Sequence, residues 1–414
     1  MQGVFHYFSD EEARTVHEES LTFLSEKGLV ITDDAARRYL MNWGCTCRDG
    51  RLFFPVDRIQ ETLAAYPLKI SQDGRPRHTN RGFFTHLDNL REDGITTMSL
   101  TDCRHFIQLA NGLDAMDCTL LPLSDDSHLQ EAIYRLAERE SRKPTIYPVF
   151  SLEDAHFLKA HPHPESLHVL LGDQLLSVDS VITQQLEILL PTQCPIAITY
   201  PLPLDFAGLH DDYFILMGNI HFLVLLILAR SIQPDARIYY SGFLKNNRRS
   251  LGFRTTEDLN CLYFHTAQSQ MAHFYHYPAI LWPDDLSVLN DGDPDSIEKC
   301  ITYYSLIEMC GADLLAWMGK GIHWQSSSFE QLVLDHEIVK AVKPYSYVYS
   351  TKHLPAVLET IREDEPQNSY IFNDPKDTDS VDCLSAQMPA PQSWLYSSQL
   401  KVAIDEILHG YFKH

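Results

Sequence analysis

Apolar positions in the first part of the chain recur at helical spacing, punctuated by capping and turn residues. Ser9-Asp10-Glu11-Glu12 has the form of a capping box, the serine accepting from the backbone while Glu12 reaches back, and Ala13, Val16, Leu21 and Leu24 follow on one face. Gly28 ends that helix. Asp33 or Asp34 caps a second, which runs through Leu40 to a stop near Gly44, and a third spans about Val56 to Ala65 ahead of Pro67. These elements predict an N-terminal helical layer over residues 1–80.

Further on, short apolar runs bounded by turn residues alternate with helical stretches. The runs are Cys118–Leu123, Thr145–Phe150, Leu167–Leu171, Ile196–Tyr200, Ile238–Gly242, Ala279–Trp282 and Leu314–Met318. With Phe83–His86 added the count reaches eight over about 240 residues, which predicts an α/β fold of the TIM (β/α)8 barrel type across residues 81–345. A doubly wound sheet shows the same alternation, but no G-x-G-x-x-G follows any of these runs. Ile220–Ala229, the most apolar stretch, falls short of the ~20 residues that cross a bilayer and reads as a buried helix. His273, Tyr275 and His276 read as surface positions on a helix. Residues 346–414 form a polar, proline-bearing loop over 362–393 and then a C-terminal helix capped by Ser397 or Ser398.

Composition narrows the partners. Lysine and arginine total 33 against 56 acidic residues, a net charge of −23 that repels phosphate backbones and favours a small cationic ligand. No nucleic acid and no membrane partner is expected. The nine cysteines show no repeated CxxC spacing, and no basic region precedes an apolar run at the N-terminus, so reduced thiols and a cytoplasmic protein are expected. His161-Pro162-His163 copies a metal-binding spacing but follows a helix-like segment, which puts it at the wrong end of a barrel strand. No directly bound metal is expected.

Residues 8–67, from FSDEEARTVHEESLTFLSEKGLVITDD to FFPVDRIQETLAAYP, resemble the opening of the trimethylamine methyltransferase family in the order and spacing of their helices and stops. TTMSLTDCRHFIQLANGLDAMD resembles the segment before that family's first well-marked barrel strand. EKCITYYSLIEMCGADLLAWMGKGI and SFEQLVLDHEIV resemble its late strand and helix, with Glu298, Gly311, Ala312, Gly319, Gly321, Asp335 and Glu337 at matching places. The resemblance implies a TIM barrel and methyl transfer from a methylated amine to a corrinoid (cobalamin) cofactor carried by a cognate partner protein. It also suggests self-association. Members acting on trimethylamine carry pyrrolysine shortly before the Glu298 position. Here the stretch is LSVLNDG, with Leu289 or Asn290 at that place, and LMGNIHFLVLLILA and KNNRRSLG replace the family's central motifs. The pattern is therefore similar to members that demethylate quaternary amines such as glycine betaine. The alternative is a degenerate barrel that binds a methylated amine or serves as a regulatory paralogue.

Working residues of a barrel lie where strands enter βα loops. Trp282 ends one run and Asp284, Asn290 and neighbouring acids follow it, an aromatic face beside negative charge that suits a trimethylammonium group. In GKGIHWQ, two glycines let the backbone approach a ligand, His323 could hydrogen-bond a substrate carboxylate and Trp324 adds a ring. The expected catalytic residues are Asp284, Asn290 and His323. Trp282, Trp324, Asp88, Tyr200, Tyr240 and Glu298 are expected to bind substrate. A solvated acidic loop, core tyrosines and a helix-start glutamate are the plainer explanations of the same residues.

Overall fold

A computed structural model describes residues 6–65, 76–81, 84–89, 94–172, 176–203, 211–245, 257–283, 301, 304–321 and 326–342. The N-terminal layer contains helices α1 (Asp10–Thr22), α2 (Asp34–Trp43) and α3 (Val56–Ala65), with an antiparallel strand pair, Thr46–Arg48 and Arg51–Phe53, between the last two. The expected caps are made. Ser9 and Glu12 form the reciprocal box, and Asp33 accepts from Ala36 N at 2.8 Å.

The barrel follows as β1 (Arg77–Asn80), α4 (Leu100–Gly112), β2 (Thr119–Leu120), α5 (Ser127–Glu140), β3 (Thr145–Val149), α6 (Leu152–Ala160), β4 (Leu167–Leu171) and α7 (Ser180–Leu189). It continues as β5 (Ile196–Thr199), α8 (Asp211–Ile232), β6 (Ile238–Lys245), α9 (Glu257–Phe274), β7 (Ala279–Leu281), β8 (Leu314–Met318) and α10 (Phe329–Val342). Strands β2 to β8 pair in chain order, all parallel, and β8 returns to β1 with Leu314 opposite Arg77. This is a TIM barrel.

The first strand differs from expectation. Phe83–His86 is not the barrel strand; His86–Asn89 pairs instead with Gly94–Thr97 and Ser326–Ser327 in a small separate sheet. The barrel strand is Arg-His-Thr-Asn, and His78, Thr79 and Asn80 are fully buried. Hydropathy could not reveal it, because its polar side chains do a backbone's job at the last seam. Asp117 N and Cys118 N both donate to His78 O, at 2.8 and 3.1 Å. Beyond them, Leu120 N donates to Asn80 Oδ1 at 2.8 Å and Asn80 Nδ2 donates to Leu120 O at 2.7 Å, so one carboxamide stands in for a peptide unit between β1 and β2.

Buried apolar side chains fall into two clusters. One holds strand residues and their immediate flanks, among them Leu120, Ile146, Val169, Ala197, Ile280 and Trp282, and fills the barrel interior. The larger lies between strands and helices and extends into the N-terminal layer. Helix α8 sits in the middle of that second cluster. Its segment Ile215–Ile232 is long and apolar enough to cross a membrane by length and composition, further than Ile220–Ala229 alone, and 83% of it is buried inside the protein. The burial accounts for the composition, since α1, α2 and α3 cover the side that the barrel does not.

One polar node crosses this apolar contact. Asn219 Nδ2 on α8 donates to Ser20 Oγ of α1 at 2.8 Å and to Tyr275 OH at 2.9 Å, Tyr240 OH donates to Asn219 Oδ1 at 3.3 Å, and His17 Nδ1 lies 3.0 Å from Tyr275 OH. Tyr275 is thus a buried member of the layer contact and not the surface residue its spacing suggested.

Replacing Asn80 by alanine removes both of its bonds across the closing seam: Leu120 N keeps Thr79 Oγ1 as acceptor at 3.1 Å, while Leu120 O loses the Asn80 donor. The expected cost is about 2–4 kcal/mol. Urea unfolding would show this as a lower midpoint at unchanged slope. A midpoint equal to wild type would mean that the seam closes without the side chain.

Candidate functional site

Parallel strands direct their C-terminal ends to one face, and alternation along each strand decides which side chains point into the barrel there. In β5 and β6 the register sets Ala197 opposite Tyr239, so the next inward positions, Thr199 and Ser241, also stand side by side. Their hydroxyl oxygens are 2.6 Å apart. On the neighbouring strand Ile280 and Trp282 point inward, and the Trp282 indole N–H donates to Ser241 Oγ at 2.9 Å. Thr199, Ser241 and Trp282 are 0%, 1% and 6% exposed. The C-terminal end of the interior therefore carries a short chain of hydroxyls closed by one indole.

Next to it, the segment after β8 is held at both flanks. Gly319 adopts φ +76°, which a side chain would strain, and its N–H donates to Asp335 Oδ2 at 2.7 Å. Ser328 N and Ser327 Oγ both donate to Gly319 O, at 3.0 and 2.7 Å, and Gly321 N donates to Ser326 O at 2.9 Å. A side chain at Gly321 would run into Ser326 Oγ and come within 3.0 Å of Asp88 Cβ. Asp335 also accepts from Gln331 Nε2 at 2.6 Å and from Tyr304 OH at 3.4 Å. Its hydrogen bonds favour the anion, but complete burial outweighs them and pushes the carboxyl up to about 7.

The expected site residues separate into three groups. Trp282 lies inside the barrel at its C-terminal end, as described. Asp88 is buried in the strand His86–Asn89, with Ser326 Oγ donating to its carboxylate at 3.4 Å, and packs against Gly321 at the base of the β8 loop. Tyr200 and Tyr240 occupy the opposite side of the sheet, which corrects their assignment to a cation cage. Both face α8 because they alternate with the inward Thr199 and Ser241. Tyr200 OH donates to Gly218 O at 2.9 Å with its ring centroid 4.1 Å from that of His221, and Tyr240 is bonded to Asn219 with its ring 4.3 Å from Phe222. Burial pushes both phenols upward and lowers His221 to about 3, so these groups are neutral packing elements. Asp284, Asn290, Glu298, His323 and Trp324 lie outside the described residues, as does the expected C-terminal helix.

Sequence reasoning passed over Thr199 and Ser241. The signal was the inward parity of their strands, Ala197 and Thr199 on one and Tyr239 and Ser241 on the other. Among the described residues no three His, Cys, Asp or Glu side chains meet in a way that could hold a metal ion. His161 and His163 lie ahead of β4, at the opposite end of the barrel from the indole, with His161 stacked on Phe157 at 4.4 Å.

No family model matches the chain. No curated protein matches it either. Among solved structures it is similar to the monomethylamine methyltransferase MtmB of Methanosarcina barkeri, with a TM-score of 0.50 at 10% identity over 96% of this chain and 92% of that one. A complex of MtmB with hydroxylamine gives a TM-score of 0.51 with the same identity and coverage. At this identity the likeness is one of fold, and it extends over nearly the whole of both chains.

Asp335 makes stability depend on pH in a definite direction. Its pKa is raised in the folded state, so between about 4 and about 7 the native protein binds a proton that the unfolded chain has lost, and stability falls as pH rises through that window. Melting temperatures of wild type and Asp335→Asn, compared from acid to neutral pH, should show a pH-dependent decline in wild type that the variant lacks. Parallel curves would show that Asp335 does not titrate there.

Proposed function

We propose that this protein is a methyltransferase that takes a methyl group from a small cationic methylated amine, of the betaine type, and delivers it to a corrinoid carried by a separate protein. The observation that carries this reading is the near-complete fold match to a methylamine methyltransferase, 96% of one chain against 92% of the other. The family resemblance of residues 8–67 and 298–337 supports it from the sequence side.

The described residues fit such a partner-borne cofactor by their chemistry. The barrel interior is lined largely by apolar side chains and ends in two hydroxyls and an indole, groups that suit a methylated cation. When docked, the corrinoid supplies the nucleophilic cobalt, and the protein's share is to bind, orient and desolvate the methyl donor. A quaternary nitrogen already bears the positive charge that makes the amine a leaving group, so no special nucleophile is required at the Asn290 position.

In this reading the Trp282 ring presents its negative π-face to the cation, and Ser241 fixes the ring by accepting its N–H. The sequence expectation that Asp284 supplies negative charge, His323 a carboxylate partner and Trp324 a second ring belongs to this reading, with Asp88 at the base of the β8 loop and Asp335 holding the loop's first residue. The same reading places the protein in the cytoplasm with its corrinoid partner.

The test is methyl transfer from a panel of quaternary amines to free Co(I) cobalamin, followed by absorbance of methylcobalamin. One betaine should turn over, and Trp282→Ala should lower kcat/KM about tenfold through loss of the cation–π contact and its packing. Absence of transfer from every amine would sink the reading.

A further inference from the structure

The hydroxyl chain at the end of the barrel interior has one proton more than it uses. Three hydrogens are available: the indole N–H of Trp282 and the hydroxyl hydrogens of Ser241 and Thr199. An indole nitrogen only donates, so Ser241 Oγ must accept at 2.9 Å. The 2.6 Å contact between Ser241 and Thr199 consumes one further hydrogen, whichever hydroxyl gives it. One O–H therefore remains, on Thr199 if Ser241 donates and on Ser241 if Thr199 donates. Among the described residues it meets no acceptor. Both side chains are fully buried, and an unused buried donor costs free energy that a ligand's acceptor would recover.

We infer that the Thr199–Ser241 pair is an acceptor-recognition subsite, whose unused hydroxyl proton hydrogen-bonds a carboxylate oxygen of the substrate. The inference rests on the amine methyltransferase reading for the identity of the ligand's other end. Its polarity follows from the count, since the pair has a donor to spare and the interior around it is lined largely by apolar side chains. A bond from a buried hydroxyl to an ionised oxygen is strengthened in such surroundings. A free carboxylate would pay heavily for entering them, whereas a zwitterion brings its own counter-charge, seated against Trp282. The subsite then discriminates: a cation lacking the acceptor leaves the hydroxyl proton unpaired, which is the asymmetry by which polar pockets reject incomplete analogues.

Titration calorimetry with three probes tests this: glycine betaine, tetramethylammonium as the cation without the acceptor, and 3,3-dimethylbutyrate as the carboxylate without the charge on nitrogen. Thr199→Val/Ser241→Ala should weaken glycine betaine and 3,3-dimethylbutyrate about tenfold more than tetramethylammonium, whose own loss reports the Trp282 ring released from Ser241. Thr199→Ser, which leaves the hydroxyl count unchanged, should keep the wild-type preference. If the double variant does not melt cooperatively, Thr199→Val/Ser241→Cys keeps the volume and weakens the donor, and the same split is expected. Equal weakening of all three probes, no weakening of any, or no binding of glycine betaine to wild type would overturn the subsite. Binding of glycine betaine that depends on the hydroxyls, with no methyl reaching cobalamin, would uphold the subsite and remove the methyl-transfer reading instead.

Discussion

The barrel depends on how its last seam is closed. Seven of the eight neighbouring pairs are joined by an ordinary parallel ladder, which any suitable run of apolar residues can supply. Among the described residues the eighth has two backbone bonds, both to His78 O, and is completed by side chains: Asp117 accepts from His78 N, Thr79 Oγ1 accepts from Leu120 N, and Asn80 acts as donor and acceptor to the two sides of Leu120. A carboxamide has the donor and acceptor geometry of a peptide and can span where a strand as short as Thr119–Leu120 leaves a gap. Without closure the sheet would have two edges, and the inward cluster would be open to water along one side. The interior that bears Trp282 therefore presupposes Asn80.

Closure also explains the outer architecture. A closed barrel has one apolar outer surface, and its helices must cover it. Helix α8 is apolar all round, so covering the barrel leaves a second apolar face exposed unless another layer is added. Helices α1 to α3 form that layer. Asn219 contributes specificity to the contact, because apolar packing alone tolerates sliding, while a carboxamide that must satisfy Ser20, Tyr240 and Tyr275 together does not. The N-terminal segment is in this sense part of the barrel's outer wall.

What could be read from the sequence follows the same division. Seven barrel strands were legible because their burial is reported by Val, Ile, Leu and Ala, and the N-terminal caps because Ser9 and Asp33 act on residues three positions away. The first strand was not legible, since His78, Thr79 and Asn80 are polar for reasons that lie on another strand. Tyr200 and Tyr240 misled for a related reason. Position at a strand end selects a candidate, but parity decides its side, and in both strands the inward place belongs to a hydroxyl residue that no motif marks. Asp335 was visible as part of a family pattern, while its task, holding Gly319 in a left-handed turn, appears only when β8 and α10 are packed together.

The buried polar residues of this protein thus differ in what they leave unfinished. Asn80 uses both ends of its carboxamide within the fold, Asn219 uses both of its own, and Asp335 accepts three bonds. Such fully used groups fix structure and offer nothing to a ligand. The Thr199–Ser241–Trp282 chain is built from equally buried groups and stops one bond short, at the end of the barrel where parallel strands deliver their side chains to the loops. A spare donor held beside an aromatic ring at that end of the barrel puts unspent hydrogen-bonding capacity at the place where a small polar cation would enter.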